Sequence, residues 1–411
     1  MIRSMYSAVS GLRSHQLMMD MVGNNISNVN THGFKRTYVL FQEVLNQSLS
    51  GATAPTDVVG GTNPAQVGLG STVSATPQNF SQGFLQITNR ELDVALQGDG
   101  FFVVNNGAEP LYSRSGSFFL DAESRLVTSD GSLVQGWSAL PDGTFDPALD
   151  ADFIRVPLGD LQAPIVTSEV TLAGNLPSNS LVGDVVSSGV ELYDTQGNTV
   201  PLTVLFTKTA ADQWTATASY GDPPTNVPLT DNVVTFVNGE VTVPADFNIN
   251  IAAGAVPDVG AVSLVIGGNS ERKVTQFGDV STLAVATQNG FPAGSLQTIS
   301  ISPTGDIMGA FSNGQTQPIA RLSLATFANP GGLERVTGST WRPTVNSGLA
   351  QVGQANTGNR GLVAPGSLEM SNVDLAQEFT TLIQAQRGFQ ANSRVVTSAD
   401  ELLQEIVNLK R

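Results

Sequence analysis

The sequence LAQEFTTLIQAQRGFQANSRVVTSADELL at residues 375–403 decides how the ends of the chain fold. An apolar side chain stands at every seventh position through four consecutive steps. A heptad repeat of this length predicts a long amphipathic helix with a coiled-coil-like packing stripe. We expect the stripe and its neighbours to comprise Leu375, Phe379, Leu382, Phe389, Val396 and Leu403.

The residues around this repeat refine the prediction. Ser371, Asn372 and Asp374 precede the first leucine and can cap the N-terminus of the helix. The positions at which a second apolar column would lie, Gln386, Ser393 and Asp400, are all polar. One narrow apolar stripe favours a helix packed among several others over a simple two-stranded coiled coil.

The first 30 residues carry a second apolar stripe, with spacings of three and four. Gly11, Gly23 and the pair Asn24-Asn25 weaken the helix that this spacing predicts, and we expect it to end near Val29. Neither helix can leave its stripe in water, so the two must pack against each other or against other copies of the chain. The expected packing residues are Ile2, Met5, Val9, Leu12, Met19 and Ile26.

Between the helices the pattern is that of a β protein. Short apolar runs such as residues 101–104, 202–206 and 233–237 have the length of strands, and Asp-Gly and Asn-Gly pairs between the runs favour hairpin turns. We expect a mainly β fold with terminal α-helices that form a coiled-coil-like stalk. The expected parts are a helical domain (1–30 and 371–411), an extended arm (31–70 and 358–370), an inner β domain (71–160 and 285–357) and an inserted outer β domain (161–284).

The composition excludes several classes of protein. The chain has no cysteine and two histidines, which excludes disulfides and thiolate metal sites and argues against a histidine-dependent catalytic centre. Its net charge of −16 and its lack of a basic stripe exclude a nucleic-acid binder. No apolar run approaches the ~18 residues of a membrane span, and the N-terminus lacks the apolar core of a secretory signal. We expect no membrane insertion and export without a cleaved signal peptide.

The charge is unevenly distributed along the chain. Residues 1–45 have a net charge of +2 and residues 371–411 a net charge of −1, so the middle holds 28 acidic side chains and a net charge of −17. Near-neutral ends can pack against copies of themselves, while an acidic body stays solvated. The alternative is that the acidic surface is only a compositional trait.

No constellation of residues points to catalysis. The carboxylates are numerous, but no spacing singles out a pair, and no phosphate-binding loop or nucleophile motif occurs. We predict that the chain is not an enzyme and has no catalytic, metal-binding or cofactor-binding residues.

Three stretches resemble the flagellar rod and hook protein family. Residues 22–36, VGNNISNVNTHGFKR, resemble its N-terminal signature, and residues 371–375 and 386–392 resemble its C-terminal motif. Residues 92–102 and 112–118 are similar to strands of its inner β domain, and residues 190–198 and 204–209, followed by Trp214, resemble the outer domain of its hook members. The motif residues are Asn24, Asn25, Asn28, Asn30, Thr31, Gly33, Phe34, Lys35, Ser371, Asn372, Val373, Asp374, Gln386 and Arg387.

The resemblance implies a structural role. It implies a subunit of the flagellar hook, which polymerises into a curved flexible tube that transmits torque from rod to filament and encloses the export channel. The implied partners are other copies of the chain, the distal rod protein, the hook cap protein, the hook–filament junction protein and the flagellar export apparatus, at an extracellular location. The alternatives are a distal rod subunit with an insert, a secreted β-rich adhesin and a β-sandwich hydrolase.

Overall fold

The computed structural model describes residues 2–55, 60–140, 143–146, 149–159, 161–244, 248–267 and 273–409. The side chain of Ile2, one of the predicted packing residues, lies outside this description. Within the described residues the chain forms two α-helices, α1 (Ile2–Ser27) and α2 (Leu375–Leu409), and a short 3-10 helix at Pro330–Gly332. The prediction of a mainly β fold with a helix at each end is confirmed.

In the described residues between the helices, the regular secondary structure consists of strands and the short 3-10 helix. The first group comprises β1 (Leu40–Glu43), β2 (Asn46–Ser50), β3 (Ala65–Gly68), β4 (Ser71–Ala75), β5 (Leu85–Ile87), β6 (Val94–Gln97), β7 (Phe101–Asn105), β8 (Pro110–Ser113), β9 (Phe118–Leu120), β10 (Leu126–Thr128), β11 (Leu133–Ser138) and β12 (Asp152–Phe153). The middle group comprises β13 (Leu161–Gln162), β14 (Glu169–Pro177), β15 (Val185–Tyr193), β16 (Thr199–Ala210), β17 (Gln213–Tyr220), β18 (Thr225–Val227), β19 (Leu229–Thr230), β20 (Val233–Val237), β21 (Glu240–Val243), β22 (Asn248–Ile251), β23 (Val262–Val265), β24 (Val274–Phe277) and β25 (Ala284–Gln288). The last group comprises β26 (Gly294–Ile301), β27 (Asp306–Phe311), β28 (Thr316–Leu322), β29 (Leu324–Thr326), β30 (Glu334–Arg335), β31 (Thr340–Arg342), β32 (Gln351–Gly353), β33 (Leu362–Pro365) and β34 (Ser367–Glu369).

The chain divides into two compact units. The first unit contains residues 1–156, 299–309 and 317–411, and the second contains residues 157–298 and 310–316. The expected inner β domain resumed at residue 285, whereas residues 285–298 lie in the second unit. The physical reason is that β25 pairs antiparallel with β14, so its backbone hydrogen bonds belong to the sheet of the second unit.

The first unit holds both helices and an antiparallel sheet. Its strands lie in the order β28, β11, β7, β8, β31 and β30. The core beside β7 and β8 is aromatic: the rings of Phe101 and Trp341 lie 5.6 Å apart, and those of Tyr112 and Phe327 lie 4.8 Å apart. Edge-to-face pairs of this kind add to the burial of the rings and fix their geometry.

Residues 358–370 differ from the expected arm. Strand β33 pairs with β6, and β34 pairs with β5, so residues 362–369 are part of the β structure. Val363, Leu368 and Glu369 are buried there. The segment pairs with strands more than 250 residues away in sequence, and a local pattern carries no information about such a partner.

Residues 31–70 contain strands as well. Strand β1 pairs with β4, and β2 pairs with β3, each antiparallel. The side chains of β2 and β3 are exposed throughout, and Leu45, Leu49 and Val67 are among the large apolar residues left in water. Within the described residues, β2 and β3 therefore form a hairpin that buries no side chain, whereas β1 and β4 lie against α1.

The second unit is a β domain with its own core. Its strands lie in the order β15, β16, β17, β20, β21, β24, β14, β23, β22 and β19. Burial alternates along β16, where Leu202, Val204 and Phe206 point into the core and the residues between them are less buried. This period of two is the pattern of a strand with one covered face. Strand β14 pairs in parallel with both β23 and β24.

Candidate assembly site

The two helices of the first unit pack antiparallel in a constant register. A Cβ atom added at Gly11 would lie 2.7 Å from Nδ2 of Asn392, and one added at Gly388 would lie 2.5 Å from the ring of His15. Gly11 therefore faces Asn392, and His15, four residues later in α1, faces Gly388, four residues earlier in α2, as expected for two antiparallel helices. Because these distances leave no room for a methyl group, each glycine makes space for a polar side chain of the other helix.

Small side chains form the contact between the helices. The buried residues of α1 recur at helical spacing, and those of α2 stand three positions after the predicted heptad column. The column that faces α1 runs through positions 378, 385, 392 and 399. The buried contact residues are Ala8, Ser14, Val22 and Asn25 on α1 and Glu378, Ala385 and Ala399 on α2.

The predicted packing residues flank this contact. Most are half-buried in the single chain, and two of them, Leu375 and Phe379, are 41% and 51% exposed. Ile383, also 51% exposed, continues these two at a spacing of four residues, so the three form one stripe, which we call the exposed apolar face of α2. The half-buried residues are Met5, Val9, Leu12, Met19, Ile26, Leu382, Phe389, Val396 and Leu403.

Helix α2 is longer than its partner at the C-terminal end. The register set by Gly11 and Asn392 places the start of α1 opposite about residue 401 of α2. Leu402, Ile406 and Val407 lie at or beyond that point and are exposed. The last two turns of α2 therefore carry apolar side chains that α1 cannot cover.

The helices are joined to the β structure by side-chain amides of the two motifs, a region we call the junction. The Nδ2 atom of Asn25 donates to the Thr37 carbonyl (2.7 Å) and to Oε2 of Glu378 (3.2 Å), and its Oδ1 accepts from the Thr37 amide (3.1 Å). Asn372 Oδ1 accepts from the Arg36 amide (2.8 Å), and its Nδ2 donates to the carbonyls of Asn79 and Ser81 (2.8 and 3.1 Å). Asn25 thus ties the last turns of α1 to Thr37 and to α2. Asn372, just before α2, ties its segment to Arg36 and to the loop at residues 79–81.

Three buried charges lie at the centre of the junction. Nζ of Lys35 lies 2.7 Å from Oε1 of Glu369, and Nε of Arg114 lies 3.6 Å from Oε2. Oε1 also accepts from the Gly83 amide, and Lys35 donates to the Ser81 carbonyl, each at 2.8 Å. Burial lowers the pKa of the Lys35 ammonium, Arg114 lowers it further, and the Glu369 carboxylate opposes both. Burial likewise lowers the pKa of the Arg114 guanidinium, against the opposing charges of Glu369 and Asp99.

The remaining motif residues have local roles. Gly33 has a φ of +70°, its amide donates to the Glu369 carbonyl (2.8 Å), and a Cβ there would lie 2.6 Å from the Ser115 nitrogen. Phe34 is fully buried, with the Arg335 guanidinium 4.4 Å from its ring centre. Asp374 caps α2 by accepting from the amides of residues 376 and 377.

Other motif positions make short-range contacts or none. Asn28 donates to the Asn24 carbonyl (2.9 Å) and accepts from the Thr31 hydroxyl (3.1 Å). Ser371 is buried and Val373 is half-buried. The exposed positions are Asn24, Asn30, Gln386 and Arg387.

Sequence reasoning missed the buried charges and the role of the helix glycines. The sequence predicts Gly11 as a weak point of a helix, whereas in the structure Gly11 and Gly388 make space for the side chains of Asn392 and His15 on the facing helix. The signal was present in the row of small residues at helical spacing, Ala8, Gly11 and Ser14. Among the residues that the structure describes, no group of three histidine or carboxylate side chains could hold a metal ion, and no helix is long and apolar enough to span a bilayer.

Family descriptions match successive parts of the chain. They are Flagella basal body rod protein over residues 5–35, Flagellar hook protein FlgE/F/G D1 domain over 95–172, Flagellar basal body protein FlaE D2 domain over 184–291, and Flagellar basal body rod FlgEFG protein C-terminal over 364–409. The matches therefore cover both helices, the junction and parts of both β regions.

Whole proteins match from end to end. The flagellar hook protein FlgE of Borreliella burgdorferi is 37% identical, and that of Treponema pallidum 34% identical, each over 100% of this chain and 100% of the relative. The crystal structure of Helicobacter pylori flagellar hook protein FlgE2 has a TM-score of 0.55 at 14% identity, over 69% of this chain and 100% of that one, which supports the fold. Identities of this size along whole chains show that the chain belongs to the flagellar hook protein FlgE family, a family of structural proteins of the bacterial flagellum.

Proposed function

We propose that the chain polymerises through its helix pair into the curved, flexible tube of the hook, which transmits torque from rod to filament and encloses the export channel. In this tube the helix pair forms the inner wall, and the two β regions lie outside it. The family membership supports the identity of the polymer, and the exposed apolar side chains of α2 support the route of assembly.

The observation that carries the proposal is the exposed apolar face of α2. Leu375, Phe379 and Ile383 form a continuous stripe on a helix whose other face already packs against α1. Moving a side chain of this size from full exposure to full burial contributes about 1.5–3 kcal/mol, and these three are 41–51% exposed, so covering each with another copy contributes roughly half of that. A contact between two different faces of the same chain, repeated with a rotation that does not close, produces an open helical filament.

The exposed hairpins of residues 31–70 offer a second contact surface. Leu45, Leu49 and Val67 are exposed there, and within the described residues strands β2 and β3 bury no side chain. Only 13% of all residues are charged, against about 25% in ordinary soluble domains, so few ion pairs need to break when neighbouring copies slide. Uncharged hydrogen bonds, at about 0.5–1.5 kcal/mol each, can be exchanged with water and with neighbours.

The remaining parts of the proposal concern location and partners. We infer an extracellular hook reached through the flagellar export apparatus without a cleaved signal peptide, and contacts with the distal rod protein, the hook cap protein and the hook–filament junction protein. The chain acts mechanically and catalyses no reaction. The family's structural character supports this view.

The test replaces one residue of the exposed apolar face. Phe379→Asp is expected to abolish polymerisation of the purified chain, because a carboxylate cannot be buried against an apolar neighbour without a partner. Phe379→Leu is the matched control and should still assemble, because it keeps the apolar stripe. Electron microscopy measures the polymers, and circular dichroism checks that both variants fold.

Three outcomes decide between the candidates. Curved tubes from the wild type and from Phe379→Leu, with none from Phe379→Asp, support the proposal. Normal tubes from Phe379→Asp would show that α2 does not mediate assembly through this face. Straight tubes from the wild type would indicate a rod subunit.

A further inference from the structure

A groove runs along α1 beside the strand pair β1–β4. Its volume is about 520 Å³, within the range of about 300–1,000 Å³ that is common for binding sites. One wall is the face of α1 that carries Tyr6, Arg13 and Leu17, and the other wall contains Val44 and Thr72. Tyr6 is 67% exposed, Val44 47% and Leu17 38%, so apolar surface lies open in the groove. An exposed apolar groove of this kind marks a surface for a partner.

Both walls of the groove are held in place by contacts within the first unit. The Ser71 amide donates to the hydroxyl of Ser10 (3.2 Å), and this hydroxyl donates to the Ser7 carbonyl (2.7 Å). The rings of His15 and Phe41 also join α1 to β1, with their centres 5.8 Å apart. The groove is therefore formed in the single chain, and an occupant that binds there orders few further residues.

The groove carries one charge among the described residues of its lining. This charge is the guanidinium of Arg13, which is exposed and engaged by no ion pair or hydrogen bond in the described part of the chain. Guanidinium groups form their strongest hydrogen bonds with carboxylates. An occupant that fits the groove therefore combines apolar side chains with a carboxylate beside them.

The last turns of α2 have this pattern. Leu402 and Ile406 are 50% and 49% exposed and form one column on the helix, and the exposed residues Glu401 and Glu405 form the column next to it. Residues 402–409 extend about 12 Å along the helix axis, and the groove extends about 16 Å along α1 from Tyr6 to Leu17. The end of α2 therefore fits the groove in length as well as in chemistry.

The end of α2 cannot reach the groove of its own chain. The register that places Gly11 beside Asn392 and His15 beside Gly388 places Arg13 opposite about residue 390. Glu405 lies about 15 residues further along α2, which corresponds to about 22 Å. A contact between Arg13 and Glu405 therefore requires two copies of the chain.

We propose that the groove receives the last two turns of α2 from a second copy of the chain, with the apolar column against Tyr6 and Leu17 and with Glu405 beside Arg13. The inserted turns and the receiving groove are different surfaces of the same chain, so the contact repeats head-to-tail and does not close on itself. This inference rests on the proposed function, because it names the surface of a neighbouring copy that receives α2 in the polymer.

The first measurement exchanges the two charges. Arg13→Glu and Glu405→Arg each bring like charges together, and each should raise the critical concentration for polymerisation about tenfold or more. The variant with both substitutions restores an opposite pair and should return to within about threefold of the wild type. The matched control combines Glu405→Arg with Arg387→Glu, an exposed position of α2 outside the groove, at the same net charge. It should polymerise no better than Glu405→Arg alone.

The second measurement detects the contact without a polymer. The chain has no cysteine, so Thr72→Cys in the groove and Ile406→Cys at the end of α2 each introduce a single thiol. A mixture of these two full-length variants should form mixed disulfide dimers under mild oxidation, because a disulfide requires Cα atoms within about 7 Å of each other. In the control mixture, Asp212→Cys, exposed in the second unit, replaces Thr72→Cys and should give far less mixed dimer.

The outcomes separate this inference from the proposed function. If the doubly substituted variant stays as impaired as Arg13→Glu, or if Arg13→Glu polymerises like the wild type, the groove does not receive α2. If Arg13→Glu is impaired and Glu405→Arg is not, another segment of the neighbour occupies the groove and the inference falls. If Phe379→Asp blocks assembly while both charge reversals assemble normally, the proposed function stands and this inference falls. If the wild type forms no polymer but the mixed disulfide dimer appears, the contact stands and the proposed function falls.

Discussion

Removing the carboxylate of Glu369 and removing the ammonium of Lys35 break the same ion pair at the junction, yet we expect unequal costs. Glu369 faces two cations, Lys35 at 2.7 Å and Arg114 at 3.6 Å, and all three side chains are at most 3% exposed. Glu369→Gln leaves two buried cations side by side without a counter-charge. Lys35→Met leaves one cation facing one anion.

The magnitudes follow from these contacts. Breaking a buried ion pair so that a charge stays uncompensated costs about 3–5 kcal/mol, and we expect this for Glu369→Gln. Lys35→Met leaves no main-chain group without a partner, because Asn372 still donates to the Ser81 carbonyl and Gly83 still donates to Glu369. Its cost should be about 1 kcal/mol, the value of one net hydrogen bond. The two variants should therefore differ by about 2–4 kcal/mol.

The pH dependence gives an independent check on Lys35. Its pKa in the folded chain is lowered, mainly by burial, below the ordinary value of 10.5 that applies when the chain is unfolded. Between these two values the unfolded chain binds more protons than the folded chain, so stability rises with pH across that window. The Lys35→Met variant keeps all the other titrating groups, so subtracting its free energy of unfolding at each pH from that of the wild type isolates the contribution of Lys35. This difference should rise with pH toward 10.5.

The assay is urea unfolding of the full chain, monitored by tryptophan fluorescence. Trp214 lies in the core of the second unit, so Trp214→Phe leaves Trp137 and Trp341 to report on the first unit, at a cost in stability that falls on the second unit. Glu369→Gln and Lys35→Met are compared in this background. Equal costs, or a larger cost for Lys35→Met, would refute the view that Glu369 neutralises two cations.

The sequence predicted the existence of the helices well and their contact poorly. Heptad spacing identified residues 375–403 as helical because large apolar side chains repeat there. The face that packs on α1, however, buries the small residues Ala385 and Ala399 and leaves Leu375 and Phe379 exposed. A pattern that ranks residues by hydrophobicity finds the side chains available for burial. It cannot tell burial against the partner helix from burial against another copy.

The β structure shows the same division between local and distant information. The run at 233–237 coincides with β20, and the run at 101–104 extends by one residue in β7, because apolar side chains and turn residues are local signals. The ion pair at the junction joins positions 334 residues apart, and no short motif encodes such a contact. The motif at residues 22–36 marked Lys35, but only the fold shows that its partner is Glu369.

Two further predictions test the second unit and the helix crossing. Asp194 accepts hydrogen bonds from Asn198 and nearby amides, which lower its pKa below 3.8, so the second unit should lose stability as the pH falls through the lowered value. Asp194→Asn should flatten that loss in Trp214 fluorescence, and an unchanged acid limb would contradict the assignment. For the crossing, Gly388→Ala gains about 1 kcal/mol of helix propensity but forces a methyl group to 2.5 Å from the His15 ring, an overlap that costs about 1–3 kcal/mol. Gly23→Ala has the same gain and open space around the new methyl group, so it should increase the hydrogen-exchange protection of the helices while Gly388→Ala decreases it. Equal protection in both variants would mean that Gly388 does not make space for the His15 side chain.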